Sequence, residues 1–142
     1  MRAFIITCAL YALLSAVAYG QEKIAVIVNK ANPTQSLTTK QLVDLYMGRL
    51  IAFPSGEHAA PLDMQLDSLL REQFYQGLTK RPIGSINAYW SRVKFSGHAK
   101  PPLTMASSAE VIKRVREIDN AIGYVKLKEV TNDVKVVYTL VQ

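Results

Sequence analysis

Asp63-Met64-Gln65-Leu66-Asp67-Ser68-Leu69-Leu70-Arg71 is the stretch whose residue types and spacing come closest to a binding site. A short apolar segment ends at Asp63, a brief loop follows, and an apolar-periodic helix begins at Ser68. The first backbone N–H groups of such a helix have no partner within it. The helix dipole adds partial positive charge at the same end, so the segment is suited to an anion. Ser68 contributes a hydroxyl and Arg71 a counter-charge. Ser68, Leu69, Leu70 and Arg71 are therefore the candidate ligand-binding residues, with Arg92 as an electrostatic helper.

Other chemistry is sparse. His58 and His98 sit in turn and loop contexts without a near partner, whereas a metal centre needs three or four clustered ligands. No metal or cofactor is expected on that pattern. Asp63 and Asp67 are four apart, but Asp63 ends a strand and Asp67 suits a helix cap, so they do not read as a catalytic pair. The chain has no Gly-x-Ser-x-Gly, no Walker loop and no Gly-x-Gly-x-x-Gly. No nucleophile has an evident base, and no catalytic residue is expected.

The elements that must position the candidate site follow from hydrophobic patterning. Ile24 to Val28 is a continuous apolar run suited to a strand buried on both faces. Thr38 and Gln41 read as a capping box before a helix carrying Leu42, Leu45 and Tyr46 inward, with Gly48 as its end. Short strands are expected over 49–53 and 59–63, the second an edge strand or an irregular one because of Pro61. Asp67 or Ser68 caps the next helix, which shows Leu69, Leu70 and Phe74 on one face and stops at Gly77. A third helix starts near Pro82 with Ile83, Ile86, Trp90 and Val93 aligned. Tyr89 and Trp90 read as core, with a ligand-facing role as the alternative, and Arg92 and Lys94 lie over the same surface.

Residues 96–104 read as a loop. Ser107 and Glu110 form a second capping box before a helix burying Val111, Ile112, Val115 and Ile118. That helix turns Lys113, Arg114 and Arg116 to solvent. Strands are expected over 121–125 and 134–140, with Lys126 and Lys128 protecting an exposed edge. Strands alternating with helices point to a single α/β unit.

The chain has 142 residues, enough for one ordinary domain. With 17 Lys+Arg against 11 Asp+Glu it carries a net charge of +6. Met1-Arg2, the apolar run over 3–14 and the small residues at 15–20 have the three-part pattern of a secretory signal peptide. Cleavage after Ala18 or Gly20 fits equally. The expected organisation is a signal peptide over 1–20 and an α/β domain over 21–142. Cleavage removes Arg2 and the sole cysteine, Cys8, leaving 16 basic against 11 acidic residues and a net charge of +5. Export argues against nucleic acid as a partner; the positive charge suits anions, anionic headgroups or an acidic protein.

Six stretches, taken in order, resemble the phosphate ABC transporter substrate-binding protein family, of periplasmic binding protein-like fold. They are the segment from Ile24 to Asn29 with Asn32-Pro33, that from Leu37 to Leu42 with Tyr46 to Arg49, and Phe53 to Gly56. The others are Ser68 to Phe74, Ala88 to Arg92 and Ala121 to Val125. The likeness is to short single-domain members and to the second of the two lobes of full-length ones. It implies a type 2 single-lobe domain, a central mixed sheet flanked by about four helices. It also implies a periplasmic, non-enzymatic module binding a small anion, phosphate by family default.

At the anion loop the chain departs from the family's pattern of an Arg shortly before Gly-Ser-Gly-Thr. Met64, Asp67, Leu69 and Leu70 replace the Arg, both glycines and the Thr, and Ser68 alone matches. The resemblance therefore implies weak anion binding. Implied partners are a membrane transporter or sensor protein, with a homo-oligomer as one way to supply the missing half of the site. The alternative is an accessory module with a vestigial pocket, docking on a protein in the envelope.

Overall fold

A computed structural model describes residues 22–142. The signal-peptide reading of residues 1–20 lies outside them. The elements run β1 (Ile24–Asn29), α1 (Thr39–Tyr46), β2 (Ala60–Met64), α2 (Leu69–Thr79), α3 (Ile83–Ser96), β3 (Leu103–Met105), α4 (Ser108–Glu117), β4 (Ala121–Lys126) and β5 (Val134–Leu140). The five strands form one mixed sheet in the order β3-β2-β4-β1-β5.

β1 is buried at every position, as its unbroken apolar run requires. It pairs antiparallel with β4 and β5, while β2 runs parallel to β3 and β4. The two faces of β4 show how the layers are built. Gly123 turns toward α4, where an added Cβ would collide with the Val111 side chain. Its neighbour Tyr124 turns the opposite way and stacks on Phe74 of α2, centroids 3.8 Å apart and planes 7° apart. Tyr46 of α1 meets the same rings edge-on. The sheet is therefore covered by α4 on one side and by α1 and α2 on the other.

The turn after β1 is tied to α4. The Asn29 side-chain amide donates to the carbonyls of Val115 and Arg116 at 2.9 and 3.0 Å. These belong to the last turn of α4, where helix carbonyls lack internal partners. The Thr38–Gln41 capping box is present with both of its hydrogen bonds. Gly48 follows α1 at φ 71°, and an added Cβ there would lie 2.8 Å from the Trp90 ring. Both the backbone and the close approach of α3 require glycine at this position.

Several expectations are corrected. Residues 49–53 form no strand; a lone bridge joins Ala52 to His58 around the Pro54–Gly56 turn. Gly77 does not stop α2. It admits Leu140, whose Cδ2 would lie 2.7 Å from an added Cβ. The helix continues to Thr79 and ends at Lys80 in the left-handed region, because Pro82 blocks continuation. Leu69, expected on the inward face, is exposed while Leu70 and Phe74 are buried.

β2 is an interior strand, yet Pro61 fits. It pairs with β4 on one side, and β3 begins its pairing only at Leu62. Leu103 and Thr104, read as loop, join Met105 in β3, a strand too short and too exposed to show alternation. β4 is not an edge; Lys126 and Lys128 pair instead with Glu22 at 3.2 and 2.7 Å. The second capping box is displaced by one residue: Ser107 accepts from the Glu110 N–H, but the Glu110 carboxylate accepts from Ala106.

Candidate functional site

β2 and β4 pair only at Ala60–Ala121 and Pro61–Ile122 and then separate. Side chains take over the polar groups left in the gap. The Tyr46 hydroxyl lies 3.0 Å from the Leu62 carbonyl and 3.3 Å from that of Ile122. The Met64 N–H donates to Asp63 Oδ1 at 2.8 Å and to the Tyr124 hydroxyl at 3.2 Å. Polar chemistry is thus concentrated at the carboxyl end of β2, the end at which open α/β sheets place their ligands.

Asp63 is the centre of this network and is only 5% exposed. Its Oδ2 accepts from Arg71 Nε at 3.2 Å and from the Tyr75 hydroxyl at 2.9 Å. Its Oδ1 also accepts a short hydrogen bond from the Tyr124 hydroxyl. Arg71 and Tyr75 are four apart on α2 and so share the face turned toward Asp63. Burial holds the phenols of Tyr75 and Tyr124 far above their ordinary pKa, and the nearby Asp63 charge adds to that shift. Both remain neutral donors at any physiological pH.

Arg71 is 4% exposed, and three contacts define its guanidinium. Nε holds Asp63, Nη1 donates to Asn87 Oδ1 at 2.8 Å, and the group lies 5.0 Å from the Tyr75 ring centroid. Nη2 makes no hydrogen bond among the described residues. Asn87, Ser91 and Lys94 follow one another at i, i+4 and i+7 along α3, which brings them to one helix face. That face, the β2–α2 loop and the segment from Pro101 to Thr104 enclose an open cleft of about 320 Å³. Asp63, Arg71, Asn87, Ser91, Lys94 and Thr104 supply its polar lining. Met64, Leu66, Trp90, Pro101 and Pro102 supply the apolar part.

The expected site residues are only partly brought together. Arg71 lines the cleft, already paired with Asp63. Ser68 is the N-cap of α2, its oxygen accepting the Arg71 N–H at 3.3 Å. Leu69 is 66% exposed and Leu70 is buried; neither they nor Ser68 line the cleft. Arg92 is exposed and lies outside the lining.

The sequence reading missed Asp63 as an ion-pair partner, and with it Asn87, Tyr75 and Tyr124. The one available signal was the i, i+4 spacing of Arg71 and Tyr75. Lys94, read as a surface residue over the helix, is part of the cleft. His58 and His98 share a separate, mainly apolar groove of about 400 Å³. Among the described residues, no three His, Cys, Asp or Glu side chains group as metal ligands.

The mixed five-stranded sheet, its four helices and a cleft at the strand ends define a periplasmic binding protein-like α/β fold. Its structural neighbours are phosphate ABC transporter substrate-binding proteins. An ABC-type phosphate transport receptor from Vibrio cholerae superposes with a TM-score of 0.67 at 19% identity, over 83% of this chain and 46% of its own. A Clostridium perfringens protein, assigned as a phosphate ABC transporter substrate-binding protein and holding phosphate, gives 0.66 at 20% identity, over 83% and 45%. A protein from Planctomyces limnophilus described as a possible phosphate binding protein gives 0.62 at 13% identity, over 83% and 41%. The chain thus spans about half the length of the structures it matches. No protein-family model and no curated protein matches the sequence.

Proposed function

We propose that this chain is a non-enzymatic, exported solute-binding module that holds a small anion against Arg71. The carrying observation is the position of that guanidinium. It is buried, fixed by Asp63 and Asn87, and placed in the wall of a cleft that also presents Lys94. A fixed guanidinium loses little freedom when it meets an oxyanion. Lys94 leaves the lining with one positive charge beyond the Asp63–Arg71 pair.

The phosphate-transport neighbours make phosphate the first anion to test and the periplasm the expected compartment. A membrane transporter is the expected partner. The Ser68 hydroxyl and the Leu69 and Leu70 amides form a second candidate donor group at the start of α2. Asp67 and Glu72 flank that helix start and oppose an anion there. Calorimetric titration with phosphate and sulfate at two ionic strengths tests the reading. Saturable binding that weakens with salt and is reduced in Lys94→Ala supports it. No binding of either anion at millimolar concentration removes phosphate and sulfate as its ligands.

One observation favours a second reading, an accessory module that docks on an envelope protein. Leu66 and Leu69, both in the altered anion loop, are 75% and 66% exposed. If neither anion binds, and Leu66→Ser with Leu69→Ser abolishes a specific crosslink to an envelope protein, the docking reading replaces the first.

A further inference from the structure

The lining of the cleft says what kind of anion it is built for, an inference that rests on the anion-binding reading. Its volume of about 320 Å³ far exceeds an inorganic oxyanion, which occupies space comparable to a few waters of about 30 Å³ each. It lies at the lower end of pockets that take small organic ligands, roughly 300–1,000 Å³. Trp90, Pro101, Pro102 and Leu66 form apolar walls that an inorganic ion leaves unused.

The acceptor inventory points the same way. Asp63 is the one acidic residue among those lining the cleft. A carboxylate has about four lone-pair positions. Here Oδ1 takes the Met64 N–H and the Tyr124 hydroxyl, and Oδ2 takes Arg71 and the Tyr75 hydroxyl. No ionised acceptor is left for a ligand proton. The acceptors that remain are neutral: the second lone pair of Asn87 Oδ1, whose first takes Arg71 Nη1, and the Ser91 and Thr104 hydroxyls. Donors are plentiful, in Arg71 Nη2 and the Lys94 ammonium. Trp90 Nε1 is buried without a hydrogen-bond partner. Inorganic phosphate near neutral pH carries one or two O–H groups that need acceptors. A carboxylate or sulfonate carries none.

We propose that the cleft takes a small organic anion. Its fully ionised carboxylate or sulfonate head meets Arg71 and Lys94, and its apolar body lies against Trp90, Pro101 and Pro102.

Trp90 is the sole tryptophan of the chain and lines the cleft, so its emission reports occupancy directly. The test is titration of the purified chain with benzoate, benzenesulfonate, phosphate, sulfate and the neutral isostere benzamide, followed by calorimetry and Trp90 fluorescence. Benzoate and benzenesulfonate are expected to saturate, shift the Trp90 emission and bind about tenfold or more tightly than phosphate. Lys94→Ala, an exposed position, is expected to weaken benzoate several-fold without changing the thermal midpoint. Phosphate binding as tightly as benzoate overturns this inference and leaves the anion-binding reading intact. Benzamide matching benzoate overturns the role of the ionised head. Binding of none of them overturns both readings.

Discussion

Arg71 Nε lies 3.2 Å from Asp63 Oδ2, with both side chains almost fully withdrawn from solvent. The pair joins the end of β2 to the first turn of α2 and, through Asn87, to α3. Three elements that meet at the cleft are thus held by one ion pair. Removing one partner leaves a buried charge uncompensated, which costs about 3–5 kcal/mol. Asp63→Ala and Arg71→Ala are each expected to lower the urea-unfolding free energy by that order. Asp63→Ala combined with Arg71→Ala is expected to cost less than the two single losses added together. Equal additivity would show that the two residues do not act as a pair.

The tyrosines set an alkaline limit on stability. Burial first, and then the Asp63 charge, raises the folded-state pKa of Tyr75 and Tyr124 above the unfolded value of about 10. The folded chain therefore holds these protons more tightly than the unfolded one. Their contribution is fully present below pH ~10 and is lost as pH rises beyond it. Urea midpoints should stay level from neutral pH to about 9 and fall steeply above about 10. In Tyr124→Phe that alkaline fall should be shallower, on a lower plateau, because Asp63 loses one donor.

Gly48 is held both by its backbone and by Trp90. A Cβ in the left-handed region costs about 1–2 kcal/mol before any clash. The Trp90 ring at 2.8 Å adds to that cost. Gly48→Ala is expected to lower the melting temperature by several degrees and to shift Trp90 fluorescence. A melting temperature unchanged from the parent would mean that α1 and α3 do not meet as described.

Ser68 separates the two candidate donor groups. Ser68→Ala removes the N-cap and should cost about 1 kcal/mol of stability while anion binding in the cleft persists. Ser68→Asp keeps a capping oxygen but adds negative charge at the amides of Leu69 and Leu70. If Ser68→Asp abolishes anion binding while Lys94→Ala leaves it unchanged, the ligand sits at the helix start. The reverse outcome places it in the cleft.

The structure retains the elements whose signals are local. The β1 run, the Thr38 cap and the last strand over 134–140 stand where the residue pattern puts them. Each depends on neighbours within a few positions, through burial of a continuous apolar segment or a side chain reaching its own helix end. The resemblance in six ordered stretches likewise pointed to the fold that the solved structures share.

Sheet order, by contrast, is a long-range matter. β4 lies inside the sheet because β1 and β2 pair with it from both sides, which Lys126 and Lys128 alone could not reveal. β3 exists because β2 offers an open side from Leu62 onward, not because residues 103–105 favour a strand. Gly77 reads locally as a stop, yet it accommodates Leu140, 63 positions away in the chain. The site shows the same division. The sequence by itself determined a helix start at Ser68 and a positive charge at Arg71. Only the tertiary structure decided that this charge is paired with Asp63, fixed by Asn87 and turned toward a cleft walled by α3. Those contacts join residues of β2, α2 and α3, and no spacing along the chain encodes that meeting.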